Sequence, residues 1–313
     1  MNSFLRYTSR YCAFVLVCVA LSQSASAQTE TDALMIPKNY FCAAGIYTHN
    51  SWDKYWEGPF KRENLNLGTI SSNIYAVGGN YGLSNRINLL FMVPYVKTNA
   101  SAGTLRGQSG VQDISLAFKW MAVKEEVGTG LLSLHAIVSG SIPLNKYEAD
   151  FLPLAIGMQS KSVSLRALVN YQTGRFFIAG AGQYSQKGNI TIDRDSYYTT
   201  EMHYTDQVAM PNTTNFLFST GYRSLKFNAE ATLTKVTTIG GFDITKNNMP
   251  FPSNKMNATM AGGVFKYMLQ SVPGLEFTAG GNYVFNGRNV GQNTSLFGGV
   301  YYVFAVKKDK SDK

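Results

Sequence analysis

Ser133 and His135 form the most reactive-looking pair in this chain. They sit two residues apart on one face of the alternating segment Leu131–Ile142. A serine hydroxyl beside an imidazole is the beginning of a nucleophile and its base. No acidic or amide residue completes a triad nearby, and no G-x-S-x-G turn occurs. The pair is therefore read as part of a polar strand face pointing inward, and no enzymatic activity is expected. His49 and His203 fall in predicted loops with no metal-ligand spacing. No metal site and no cofactor are expected.

The wider set of inward ionisable residues is Lys119, His135, Arg166, Glu230 and Glu276. Such groups in a low-dielectric setting must be paired or wet. One reading makes them lumen-lining residues that select a solute by charge and hydrogen bonding. The other makes them a salt-bridge network that fills a narrow interior. Trp52, Tyr55 and Trp56 lie in a loop stretch with Asp53, Lys54 and Glu57. These aromatics are candidates for contact with an apolar ligand, or for a place at the outer membrane interface.

Strands must position all of these groups. In Leu131–Ile142, Leu132, Leu134, Ala136, Val138, Gly140 and Ile142 form one face, while Ser133, His135, Ser139 and Ser141 form the other, with Ile137 as its apolar exception. Side chains two apart on a strand share a face. The same split recurs at Asp113–Ala122, Val163–Tyr171, Lys226–Thr234, Leu275–Phe285 and Leu296–Phe304. The faces of Thr69–Tyr81 and Lys255–Leu269 are ambiguous. Short turns centred near Ser84, Val127, Thr173, Ser224 and Val272 recur every 43 to 51 residues. Longer polar stretches separate them, at about 48–67, 97–112, 143–158, 187–212, 239–254 and 286–293. Short turns at one end and long loops at the other are the connectivity of outer-membrane barrels. The hairpin count predicts an all-β fold: a transmembrane antiparallel up-and-down β-barrel of about 12 strands. Closure into a barrel leaves no unpaired backbone in lipid. Tyr81, Trp120, Tyr171, Phe176, Tyr222, Phe227, Tyr267 and Phe277 cluster beside the short turns, as an interfacial girdle does.

The N-terminus reads as an export signal. Arg6 and Arg10 precede an apolar run from Tyr11 to Leu21, and Ala25-Ser26-Ala27 offers a small-x-small cleavage site. The run is too short to span a bilayer as a helix. The expected organisation is a signal peptide over 1–27, a barrel over 28–306 and a charged tail over 307–313. Cys42 alone of the cysteines survives processing, which excludes an intrachain disulfide. The chain is 45% hydrophobic and 15% charged, with a formal charge of +9. That basic balance suits lipid headgroups. No nucleic-acid-binding signature is present, and no nucleic-acid partner is expected. Gly299-Val300-Tyr301-Tyr302-Val303-Phe304 resembles the C-terminal signal read by the barrel-assembly machinery, although a lysine-rich tail follows it.

Two stretches carry a family resemblance. Tyr81-Gly82-Leu83-Ser84-Asn85-Arg86-Ile87 leads into Val93-Pro94-Tyr95-Val96, and Gly110-Val111-Gln112-Asp113-Ile114 opens the next strand. They resemble the outer-membrane transporters of the MetA-pathway of phenol degradation family, with Gln112 in place of that family's second glycine. The resemblance implies a channel or transporter in the bacterial outer membrane for small molecules, hydrophobic or aromatic compounds among them. The partners expected are outer-membrane lipids, the assembly machinery and the solute. A structural or surface-interaction barrel with a closed lumen is the alternative. Read locally, Gly82 suits a tight turn, Asn85 a left-handed backbone, and Pro94 a strand end or bulge near the outer rim.

Overall fold

A computed structural model describes residues 29–244 and 250–307. The expected signal peptide, Gln28 and most of the charged tail lie outside the described residues. Twelve long antiparallel strands form the wall. They are β1 (Tyr40–Trp52), β2 (Ile70–Ser84), β3 (Ile87–Ala100), β4 (Asp113–Val127), β5 (Gly130–Pro143) and β6 (Ser162–Thr173), followed by β7 (Phe176–Lys187), β8 (Asn212–Arg223), β9 (Phe227–Ile239), β10 (Asn257–Met268), β11 (Leu275–Arg288) and β12 (Thr294–Ala305). Each pairs with its neighbours in sequence, and β1 pairs with β12 from Tyr40↔Ala305 to Ser51↔Thr294. The sheet is closed, so every strand has two partners and no edge remains.

The turns explain the up-and-down order. Val127↔Gly130 and Thr173↔Phe176 close two-residue hairpins. Gly128 and Gly174 take the first turn position in each at φ 59° and 56°, where a side chain would be strained.

Alternation carries through to exposure. Leu116, Val138, Val163, Leu165, Phe216 and Leu296 are exposed on the outer face. Lys119, His135, Arg166 and Glu276 are buried on the inner one. The two ambiguous strands resolve the same way. Tyr75 and Val77 face out while Ala76 and Asn80 face in on β2, and Phe265 and Tyr267 face out while Lys266 faces in on β10. Phe176, Tyr222, Phe227 and Phe265 form a chain of ring contacts with centroids 5.3 to 5.7 Å apart across neighbouring strands.

Pro94 departs from its local reading. It neither ends β3 nor bulges it, because Ala76↔Pro94 continues the β2 ladder. On its other side, the β3–β4 pairing stops at Met92↔Ser115 and Ser109–Val111 takes over along Tyr95–Lys97. A proline lacks the N–H that an uninterrupted ladder needs, but its carbonyl still accepts from the Gln112 N–H at 2.9 Å.

Candidate functional site

The lumen is occupied from the turn end by the chain's own N-terminal segment, Thr29–Asn39, which precedes β1. Three residues of the first hairpin clasp it where it enters. The Asn39 N–H donates to the Gly82 carbonyl at 2.9 Å, the Lys38 N–H donates to Asn85 Oδ1 at 3.0 Å, and Asn88 Nδ2 donates to the Ile36 carbonyl at 3.2 Å. A Cβ on Gly82 would lie 2.0 Å from the Pro37 carbonyl oxygen. Gly82 is thus needed for close approach of the segment rather than for a tight turn. Asn85 is not among the residues with positive φ and serves as an acceptor instead. Ile36 is fully buried with Cys42, Tyr301 and Val303, and Ala33 packs on Leu90, Ala117, Ile137 and Leu168. Ile137, the apolar exception on the inner face of β5, has its partner in this cluster.

Asp32 anchors the segment. Its carboxylate faces Lys119 Nζ at 3.2 Å and Lys266 Nζ at 3.3 Å, and accepts from the backbone N–H of Thr29 and of Leu34. Lys119 is entirely buried and also donates to the carbonyls of Thr29, Asp32 and Leu34, at 2.7 to 3.0 Å. Burial alone would raise the Asp32 pKa. The two ammonium groups and the two N–H donors outweigh it and hold the carboxyl well below the usual carboxylate range. Glu30 behaves oppositely: burial pushes its pKa up, against weaker attraction from Arg166 and Lys119.

The other inward residues are placed as follows. Arg166 donates to Gln183 Oε1. His135 Nε2 lies 3.2 Å from Ser133 Oγ, while its Nδ1 is buried with no hydrogen-bond partner. No third group therefore orients that imidazole as a catalytic base needs. Glu276 is buried on β11, and Glu230 faces the lumen from β9 beside a cavity of about 270 Å³. Asp32, Glu30, Lys266 and Arg223 also face this segment or belong to it, and strand alternation does not single them out. Lys266 lies on a strand of ambiguous face. Arg223 sits in a predicted turn, yet its guanidinium lies 3.5 Å from the Phe177 ring centroid and donates to Asn170 and Gln172. Glu30 and Asp32 precede the first strand, where no period speaks for them; two acids directly after the expected export signal are the available clue.

The loop end is covered differently. Leu154, in the loop after β5, is fully buried with Leu67 and Ile70, and its carbonyl accepts from Thr98 Oγ1 at 2.7 Å. Trp52 packs beside this cluster and lines a cavity of about 390 Å³. Trp56 is buried against Gly287, with its backbone N–H donating to the Val290 carbonyl at 2.9 Å and Lys61 over its ring. Tyr55 bridges to Gly291 and contacts the Trp52 ring. The expected loop placement does not hold, because Trp52 ends β1 and Tyr55 and Trp56 lie on the short strand Lys54–Glu57. Of the three, Trp52 alone lines a cavity among those described. A further cavity of about 420 Å³ lies beside Thr29–Thr31, between Leu90, Met92 and Ala44 on its apolar side and Ser115, Ser139, Ser141 and Ser162 on its hydroxyl side.

Comparison with known proteins bears on this arrangement. The sequence profile of the family described as MetA-pathway of phenol degradation matches residues 69–249, more than half of the chain. The chain belongs to that family. Among solved structures, an outer membrane channel from Pseudomonas putida F1 is similar at TM-score 0.70 and 15% identity, covering 89% of this chain and 100% of that one. The translocator domain of the autotransporter NalP from Neisseria meningitidis reaches TM-score 0.46 at 12% identity, covering 97% and 100%. No curated protein matches the sequence. The fold of this MetA-pathway family member is thus that of an outer-membrane β-barrel. Its first hairpin, which carried the family resemblance, is also the clasp that admits the N-terminal segment.

Proposed function

We propose that the chain is a passive outer-membrane channel for small molecules, apolar or aromatic ones included, held closed at rest by the segment Thr29–Pro37. The observation that carries this reading is the inner face itself. It is lined with hydroxyl, amide and charged groups around cavities of about 270, 390 and 420 Å³, rather than packed solid with apolar side chains. Polar groups on a lumen wall are expected where solute and water pass. Lys119, His135, Arg166, Glu230 and Glu276 line the segment's path, and Trp52 lines the cavity nearest the loops, with Tyr55 and Trp56 bracing it. The precursor loses residues 1–27, the barrel spans 28–306, and residues 307–313 remain as a soluble end. Cleavage is supported by the position of Thr29 beside the central cavities, where an uncut leader would compete for the same space. The assembly machinery reads Gly299–Phe304, lipid surrounds the outer face, and no nucleic acid takes part.

Planar-bilayer recording on the mature protein tests this reading. Discrete current steps are expected, with larger or more frequent steps once Thr29–Pro37 is removed. A silent protein in both forms would leave the second reading, a closed structural barrel. That alternative is favoured by one observation, the complete burial of Lys119 beneath the segment.

A further inference from the structure

Charge around the segment is shared between two parts of the chain. Near it, the wall supplies four cations, Lys119, Arg166, Arg223 and Lys266, against two carboxylates, Glu230 and Glu276. Two positive charges are left over. The segment brings two carboxylates, Glu30 and Asp32, and, once cut after Ala27, a positively charged terminal amine; Asp32 is the carboxylate that two of the wall's cations hold directly. Removing the segment would strip Lys119 and Lys266 of the carboxylate between them and leave both ammonium groups facing one vacated position. That position favours an anion, and the Asp32 carboxylate is the one it holds.

Beside the Asp32 carboxylate lies the cavity of about 270 Å³. Lys266 and Arg166 line it together with Leu217, Val264, Phe297 and Tyr301. A cationic patch next to aliphatic and aromatic side chains fits a ligand with a carboxylate at one end and an apolar ring or chain at the other. Glu230 also lines the cavity and lies within electrostatic reach of Arg223 and Lys266. The two lysines facing Asp32 converge on one carboxylate position.

We infer that Asp32 is a built-in stand-in for the solute: Lys119 and Lys266 form a binding site for small apolar carboxylates, and such an acid opens the barrel by displacing the N-terminal segment. This rests on the channel reading and narrows it from small molecules in general to small organic acids. A ligand that competes with a tethered group binds with an affinity reduced by the fraction of time the site is free. Freeing the site must then tighten binding without any change to the cations.

Benzoate and its uncharged analogue benzyl alcohol, titrated calorimetrically against the detergent-solubilised mature protein, test this. Asp32→Asn is expected to tighten benzoate binding by about tenfold or more, and to leave benzyl alcohol unchanged. Inorganic phosphate, an anion without an apolar body, is expected to bind more weakly than benzoate to the same variant. Equal binding of benzoate and benzyl alcohol overturns the inference, as does phosphate matching benzoate or an Asp32→Asn variant no tighter than wild type. Should Asp32→Asn fail to give the heat-modifiable gel shift of a folded barrel, Lys266→Met in the chain lacking Thr29–Pro37, where Asp32 no longer competes for the same lysine, takes its place. Benzoate binding must then fall at least about fivefold, and an unchanged affinity overturns the inference. Binding and bilayer current fail separately. Loss of the benzoate effect with currents intact removes the acid site and leaves the channel. Benzoate binding with no current in the segment-deleted barrel removes the channel reading, and with it the gating half of the inference.

Discussion

The two ends of the lumen are closed by different physics. At the turn end the closure is ionic: one carboxylate held by two lysines, inside a barrel, with backbone carbonyls filling the remaining donor sites of Lys119. At the loop end it is a small apolar cap. Ala149, Ile190, Ile192, Tyr197, Val208, Met210 and Phe251 cluster there, and the Tyr197 and Phe251 rings stack with centroids 5.2 Å apart. Its ion pairs, Arg194 with Asp150 and Arg288 with Asp243, are partly exposed and add little. Its polar keystone is Asn289, which accepts from the N–H groups of Gly58 and Ile244 and donates to Asp243 and the Lys255 carbonyl. A charged closure depends on each partner, because losing one strands the others. An apolar and amide closure is spread over many contacts and yields gradually.

That contrast can be broken most forcefully at the ionic end. Deleting Thr29–Pro37 should raise bilayer current by about tenfold or more, as expected when a dominant closed state is abolished. Removing the Tyr197–His203 hairpin from the cap should change it far less. Equal effects from the two deletions would erase the distinction between the ends. Next in size is Lys119→Met, which leaves Asp32 facing Lys266 alone and strips three carbonyls of their donor. Removing one partner of a buried ionic group costs about 3–5 kcal/mol. Hydrogen exchange should show the amides of the segment losing protection while the strands keep theirs, and retained protection would show that the ionic contacts are dispensable.

Asn289→Ala probes the other end. The variant loses four hydrogen bonds and places alanine at φ 53°, which together should destabilise the loop contacts by about 2 kcal/mol. Limited proteolysis of the loops should quicken, with segment protection unchanged. The smallest effect is that of mild acid. Asp32 has a depressed pKa, so its stabilising contribution is complete above the ordinary carboxylate value of about 3.9 and is lost only as pH falls below it. Glu30, raised by burial, works the other way and favours the seated segment as it gains a proton. Lys119, Arg166, Lys266, Arg223, Glu230, Glu276, His135 and Tyr301 surround these groups. Segment protection at pH about 5 should equal that at neutral pH. A sharp loss there would show that the two lysines do not dominate the Asp32 environment.

Much of the wall was legible in advance because lipid and lumen impose opposite preferences on alternate residues. Leu131–Ile142 and Leu275–Phe285 have the faces their alternation demands, and Gly128 and Gly174 close turns that only glycine takes easily. Thr69–Tyr81 and Lys255–Leu269 were ambiguous because small residues such as Gly78, Gly79, Gly262 and Gly263 carry no polarity signal. For the same reason Lys266 was missed on its strand, although Lys119 and Arg166 were found on theirs. The Gly82 and Asn85 readings failed because a local motif says nothing of a segment that arrives from 43 to 47 residues earlier.

Strand periodicity, hairpin rhythm and the resulting barrel follow from residue order alone, since they are local consequences of which side chains tolerate lipid. What fills the barrel does not follow from it. Asp32, Lys119 and Lys266 are separated along the chain by as many as 234 residues. Their meeting depends on closure of β1 against β12 and on the path of a segment that has no periodicity of its own. A buried charge acquires its meaning from the charges that surround it in space, and the order of residues along a strand does not contain that information.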